Sequence, residues 1–391
     1  MPPPPRRDLR NVVRKLGASE RPSQQKLALL TVAKTCHDGG PDSMIAIAAA
    51  GVIPPLVQLL RQGAAVDVLV ISAGILMEFA KRAENKVAIA AAGAIPPAVQ
   101  LLGSAAAAAV QEHAAGLLLQ LSYENADIAV VIAAAGAIPP LVQLLGRGFS
   151  SGMHRNAASA LNTLARATQN LVAITAAGAI PPLVRLLRPG STPPVQEAAA
   201  DVLCFLAQNN DENAVTIAAA GAIPPLILML QSGSPAEVQV MAAGALGTLA
   251  KNADNAVTIS AVGAIPRLLQ LLGTGSPVRV QFNALAALVN LSLYAENAAK
   301  FSAAGAIPRL VQLLGPGSLA DTQLTASIQP GAAVAMGRLI QHDAENAAVI
   351  AAAEEALAAL GDSNAENGAT IAAAGASDDV LQKIKGLGIS R

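Results

Sequence analysis

The chain contains no tryptophan, two tyrosines and five phenylalanines in 391 residues. Any large core must therefore be packed from Leu, Ile, Val and Ala, and rows of aromatic platforms for stacking nucleic-acid bases are excluded. Two cysteines, Cys36 and Cys204, are too few for a disulfide framework or a thiolate metal site, and they fit a reducing compartment. The four histidines, His37, His113, His154 and His342, are scattered, with no carboxylate or cysteine at metal-ligand spacing. Charge is scarce as well. Only 13% of residues are charged and the net charge is zero, so no basic stripe marks a nucleic-acid partner. With 53% apolar residues, disorder is excluded too. Period-2 alternation is missing and proline recurs inside the apolar segments, which rules out strands.

Other absences bear on location. The start, Met1-Pro2-Pro3-Pro4-Pro5 followed by arginines, lacks the apolar stretch of a secretory signal, and Pro2 excludes N-myristoylation. Residues 128–145 carry no charge, but Gly136, Pro139 and Pro140 interrupt them, so a core helix is expected there and not a membrane span. A cytoplasmic location is the expectation, with the nucleus or an organelle as alternatives. No nucleophile–base pair and no phosphate-binding loop after a strand is recognisable, so an enzyme, a cofactor and a small-molecule substrate are not expected.

What the chain does have is one phrase seven times over. Gly-Ala/Val-Ile-Pro-Pro/Arg begins at Gly51, Gly93, Gly136, Gly178, Gly221, Gly263 and Gly305, at intervals of 42 or 43 residues. A fixed period of this length means one supersecondary unit stacked on copies of itself, each burying its neighbour's apolar face. The copy from Asp211 to Lys251 predicts three helices. The first, Asn213–Ala220, ends at Gly221, a residue free to take positive φ. The second opens on Ile223-Pro224-Pro225, where proline is tolerated because a first-turn amide has no intrahelical partner. It buries Leu226, Ile227 and Leu230. The third is expected to start with a capping box, Ser234 as N-cap and Glu237 at N3, and to turn Val238, Met241, Ala242, Ala245, Leu246 and Leu249 inward.

Three helices in about 42 residues, with GAIPPLVQLL in the second and VQxxAAxALxxLA in the third, resemble armadillo repeats, most of all those of vacuolar and plant-type armadillo proteins. The resemblance spans residues 24–376. It implies an all-α fold, a right-handed α-solenoid of about seven full repeats with atypical terminal caps, whose third helices line a concave groove for extended peptides or protein segments. One position per third helix then faces the groove: Glu78, Gln120, Thr163, Phe205, Thr248, Asn290 and Arg338. In importin-α-like adaptors this position is an asparagine ladder backed by tryptophans. Only Asn290 matches here, which disfavours a transport adaptor. Gln111, Asn156, Gln196, Gln239, Gln281 and Asn283 are further candidates to hydrogen-bond a ligand backbone.

The ends differ from the body. Residues 1–34 hold eight basic groups against two acidic ones, a net of +6, which leaves −6 for the rest. Residues 1–23 are expected to form a basic arm that is a solvated tail or cap, or contacts an acidic partner or anionic membrane surface through Arg6, Arg7, Arg10, Arg14 and Lys15, or folds back on the groove as an autoinhibitory segment. Near the other end, Gly315–Leu339 is about six residues longer than Gly273–Leu291 and contains Gln329-Pro330-Gly331, which is expected to form a loop. Residues 377–391 are expected to be a capping helix and tail. The function expected is a non-enzymatic scaffold that holds a partner protein or extended peptide along the groove. A permanent subunit of a larger assembly is the alternative, suggested by a mean hydropathy of +0.48.

Overall fold

The computed structural model describes residues 6–17, 21–61, 64–103, 106–208, 210–273 and 275–306, with 309, 310, 313, 331, 332, 334, 335, 338 and 339 beyond them. The expected loop at 315–339 lies mostly outside the described residues, and the expected capping helix at 377–391 wholly so. The chain divides into two compact units, residues 1–186 and 187–391.

The N-terminal unit begins with α1 (Arg6–Lys15), α2 (Pro22–Ala49), α3 (Ile53–Gln58) and α4 (Val66–Phe79). Next come α5 (Ala83–Ala91), α6 (Ile95–Gln100) and α7 (Ala108–Ser122), then α8 (Ala126–Ala134), α9 (Ile138–Gln143) and α10 (Ser151–Ala165). A 3-10 turn, Thr168–Asn170, leads into α11 (Leu171–Ala176) and α12 (Ile180–Leu186). The second unit contains α13 (Pro193–Ala207), α14 (Asp211–Ala219), α15 (Ile223–Met229), α16 (Ala236–Leu249), α17 (Ala253–Ala261), α18 (Ala264–Leu271), α19 (Val278–Leu291) and α20 (Ala298–Ala303). Helices recur in threes, as the period predicts, and no strand occurs among the described residues. α2 is the exception. Its 28 residues fuse the third helix of a partial first repeat with the first helix of the next.

The repeated phrase explains the break before each second helix. Gly221 stands at φ +85 between α14 and α15, and the other six phrase glycines are also left-handed. Nothing lies within 4 Å of where a Cβ would be at Gly221, so the demand for glycine there is torsional. Proline occupies the first turn of α15 as expected, and Leu226, Ile227 and Leu230 are buried.

The third helices carry the core. In the N-terminal unit α2, α4, α7 and α10 pack side by side; in the second unit α13, α16 and α19 do. Leu76, Phe79, Leu117, Leu118, Leu121, Leu161 and Leu164 are completely buried, each contributing about 1.5–3 kcal/mol by leaving water. Small residues allow close approach. A Cβ on Gly247 of α16 would stand 3.2 Å from Ala287 Cα of α19.

Two local expectations are corrected. The N-cap of α16 is Pro235, without a side-chain cap, and Ser234 stands one residue outside. The proline's φ of −55 with ψ of 146 is extended, so the helix cannot begin until Ala236 and no hydroxyl is left at the capping position. Met241 is half-exposed, because its place on the helix faces the open side; Val238, Ala242, Ala245, Leu246 and Leu249 are buried as expected. The basic arm also contains structure. α1 packs on α2, Leu16 after it is fully buried, and Gln25 Nε2 donates to Gly17 O at 2.9 Å. α1 thus serves as the second helix of the partial first repeat.

Candidate functional site

Four of the glutamines expected to meet a ligand are turned inward. Gln111 Nε2 donates to Leu102 O and Gly103 O, at 3.1 and 2.8 Å. Gln196 reaches Leu187 O at 3.1 Å, Gln239 reaches Gln231 O at 2.7 Å, and Gln281 reaches Gly273 O at 2.7 Å. Each ties the start of a third helix to the carbonyls at the end of the second helix before it. Those carbonyls lack intrahelical partners; Gly103 O, Gln231 O and Gly273 O also accept from the turn amides of Ala106, Ser234 and Ser276, and the glutamine adds a second donor. His154 fills the same place in α10, its Nε2 donating to Gly146 O at 2.8 Å.

The expected ladder is also largely consumed within the protein. The hydroxyls of Thr163 and Ser122 share a hydrogen bond of 2.5 Å between α10 and α7, and Thr163 is buried. Thr248 Oγ1 donates to Gly244 O and lies 3.2 Å from Cys204 Sγ of α13. Asn290 Nδ2 donates to Gly247 O at 2.8 Å, and Arg338 donates to Val289 O at 2.9 Å. At these four positions the side chain fastens one third helix to the third helix before it. Asn156 does likewise, donating to Glu112 O at 3.0 Å, while Asn283 bonds only to Arg279 O one turn back in its own helix. Phe205 is half-exposed.

Glu78 and Gln120 make no hydrogen bond to a neighbouring third helix among the described residues, Glu78 pairing instead with Lys81. Both are half-exposed, and both line a cavity of about 530 Å³ on the third helices α4, α7 and α10, with Met77, Lys81, Glu112, Arg155 and Ser159 among its walls. The side-chain amide of Gln120 has no hydrogen-bond partner among the described residues. A second cavity, about 590 Å³, adjoins it on α2, α4 and α7 and shares Met77, Glu78 and His113. Its walls are more apolar: Ala33, Cys36, Met44, Val70, Ile71 and Ile75. Gly116 lines the first cavity, and a Cβ there would stand 2.7 Å from Met77 Sδ and 3.2 Å from Asn156 Nδ2.

A family model described as the Armadillo/beta-catenin-like repeat matches residues 125–166, 168–207, 210–251 and 252–293. An engineered protein of known structure is 32% identical, with a TM-score of 0.56 over 62% of this chain and 96% of its own. The chain belongs to the armadillo repeat family. Another engineered protein, 28% identical, aligns over 96% of this chain and 94% of its own with a TM-score of 0.74. A designed armadillo repeat protein in complex with peptide (KR)4 is 28% identical, with a TM-score of 0.53 over 62% of this chain and 99% of its own. No curated protein matches the chain.

Charge on the armadillo third helices is local and mostly paired. Glu78 accepts from Lys81 at 2.8 Å, and Glu112 accepts from Ser150 Oγ at 2.8 Å over the first turn of α10. Arg279 and Glu237 pair at 2.8 Å in the second unit. Beside that pair, burial and then the carboxylates of Glu237 and Asp201 raise the pKa of Glu197. In the apolar cavity, burial and then Glu78 push the Cys36 thiol up to about 11, so it is an inert thiol at neutral pH. Arg14 and Lys15 of α1 are exposed; the side chains of Arg6, Arg7 and Arg10 lie outside the description. No single described helix is long and apolar enough to cross a membrane. The pair α14 and α15 passes by length and composition but bends by 82°. Among the described residues, no group of three or more His, Cys, Asp or Glu side chains is placed to hold a metal.

One set of residues escaped the sequence reading. Asn85, Asn170, Asn213 and Asn297, at the start of the first helices of four repeats, are buried and donate to Phe79 O, Leu164 O, Leu206 O and Leu291 O at 2.9–3.2 Å. They close the C-terminal ends of the third helices. Their recurrence just after an acidic or polar residue was the signal available.

Proposed function

We propose that this protein is a non-enzymatic interaction scaffold that holds an extended segment of a partner protein on the third helices of its N-terminal unit. The observation that carries this is the pair of adjoining cavities joined at Met77, Glu78 and His113, with the unpartnered amide of Gln120 on their wall. An amide can donate to and accept from a peptide backbone at once, and the apolar cavity is large enough for a bulky side chain. The family relationship supports a peptide ligand, since a designed armadillo repeat protein has been solved with one. The sequence alone suggested affinity spread along the array. Because the ladder positions Thr163, Thr248, Asn290 and Arg338 are already bonded, affinity is instead concentrated near Glu78 and Gln120. Selection of peptides from a displayed library on the full chain, followed by titration against Gln120→Ala, tests this. Selected peptides should lose about tenfold in affinity, roughly 1.4 kcal/mol; affinity unchanged by Gln120→Ala would place the ligand elsewhere.

A second reading, a permanent subunit of a larger assembly, draws support from the first helices. Val87, Val131 and Val172, on the first helices of the N-terminal unit, are 59%, 53% and 76% exposed, apolar surface that a tightly held partner would cover. Purification from the native source in high salt separates the two readings, because a subunit retains stoichiometric partners there and a peptide-binding scaffold releases them.

A further inference from the structure

In the N-terminal unit, each third helix after α2 rests on the one before it. His113 of α7 lies 3.4 Å from the place of a Cβ on Gly74 of α4, and Asn156 of α10 stands likewise over Gly116 of α7. The residue of α2 at that point of the repeat, two beyond its stapling glutamine, is Leu27, which is 63% exposed. Lys34 occupies the place at which Thr163 bonds to the preceding helix. α2 therefore presents a helix-packing surface with no described helix on it.

The residues on that surface say what fits it. Leu27 and Ile45 are separated by five turns of the unbroken α2, so they share one face, and Ile45 is 49% exposed. Between them on the same face stand Lys34 and Asp38, both exposed and without an ion-pair partner among the described residues. The order is apolar, cation, anion, apolar. Such a face is complementary to itself when reversed.

We propose that α2 pairs antiparallel with α2 of a second copy about a two-fold axis at residue 36. Leu27 then meets Ile45 of the second copy, and Lys34 meets Asp38 of the second copy, each twice by symmetry. A parallel pairing would set Lys34 against Lys34 and Asp38 against Asp38, so the charges select the antiparallel one. The pairing is independent of peptide binding on the third-helix face.

Sedimentation velocity of the full chain over roughly 1–100 µM, a range that spans ordinary dimer affinities, provides the test with three variants. The wild type should dimerise. Lys34→Glu and Asp38→Lys should each weaken the dimer about tenfold or more by opposing like charges. The double swap should return to within about threefold of wild type, because the exchanged charges are again complementary across the two-fold axis. Both positions are exposed, so circular dichroism should show all variants folded. A chain that stays monomeric throughout the range, whose α2 face then serves a different protein, would overturn the proposal. So would a dimer indifferent to the single variants, or one not rescued by the double swap.

Discussion

Asn290 gives its side-chain amide to the backbone carbonyl of Gly247 at 2.8 Å, tying α19 to α16 at the position where a groove-facing asparagine was expected. The residue type is the one a peptide-holding ladder uses, but its hydrogen bond is spent on the neighbouring repeat. Asn290→Ala should therefore lower stability by about 1–2 kcal/mol, the usual effect of removing one partner of a partly buried bond. Urea unfolding measures it, and titration with a selected peptide should show unchanged affinity.

Gly247 has a second role, as a gap. A Cβ there would meet backbone and side chain of Ala287 at 3.2–3.4 Å, and the Ala287 backbone is fixed inside α19. Gly247→Ala gains helix propensity of up to about 1 kcal/mol. The displacement of two packed helices outweighs it, with a net loss of about 1–2 kcal/mol expected. Thermal unfolding checks the sign, which is opposite to that expected for glycine-to-alanine in an open helix.

Stapling glutamines should matter more than their polarity suggests. Gln281 is buried, and its truncation would remove one of the two donors to Gly273 O, leaving the Ser276 amide at 2.9 Å. Gln281→Ala should cost about 0.5–1.5 kcal/mol, the net value of one hydrogen bond whose acceptor keeps another donor. In α4 the same place is taken by the buried Leu69, so the staple is dispensable where an apolar side chain fills the space; Gln281→Leu should accordingly recover part of the loss.

The pH dependence of stability should include a contribution from Glu197. Its pKa is raised in the folded protein by burial and by Glu237 and Asp201, so the folded state holds this proton more tightly than the unfolded state. Stability from this group is therefore complete below the ordinary carboxylate pKa and falls as pH rises through the raised value. Glu197→Gln should remove that decline, leaving a flatter acid-to-neutral profile in urea midpoints measured across pH.

Cys36 offers a reporter for the apolar cavity. With its thiol pushed up to about 11, modification by a disulfide reagent at neutral pH should be slow, and faster with rising pH. A peptide seated in the cavity should slow it further, while leaving modification of Cys204, on α13, unchanged.

How far the sequence disclosed this structure follows from what kind of signal each feature leaves. Gly221 and the six glycines like it were legible because positive φ restricts the residue type, and the prolines after them because a first helical turn tolerates few alternatives. Together they set the period and the three-helix unit. Ser234 misled, since Ser-Pro-x-Glu fits a capping box until the extended proline takes the N-cap itself. The direction of Gln239, Gln281 and Asn290 was hidden for another reason. An amide can serve a ligand or a neighbouring helix equally well, and only the placement of orphan carbonyls on the second helices and of Gly247 on the adjacent repeat decides between them. The cavities could not be read at all, because their walls come from residues of different repeats, such as Met77 of α4 and His113 of α7, brought together only by the stacking.

Hydrogen exchange of the full chain with and without a selected peptide tests the central claim most directly. Protection on α4, α7 and α10, strongest around Glu78 and Gln120 and extending to the α2 wall of the apolar cavity, is the predicted result. Equal protection along α13, α16 and α19, or protection confined to the second helices, would contradict a site localised on the third helices of the N-terminal unit.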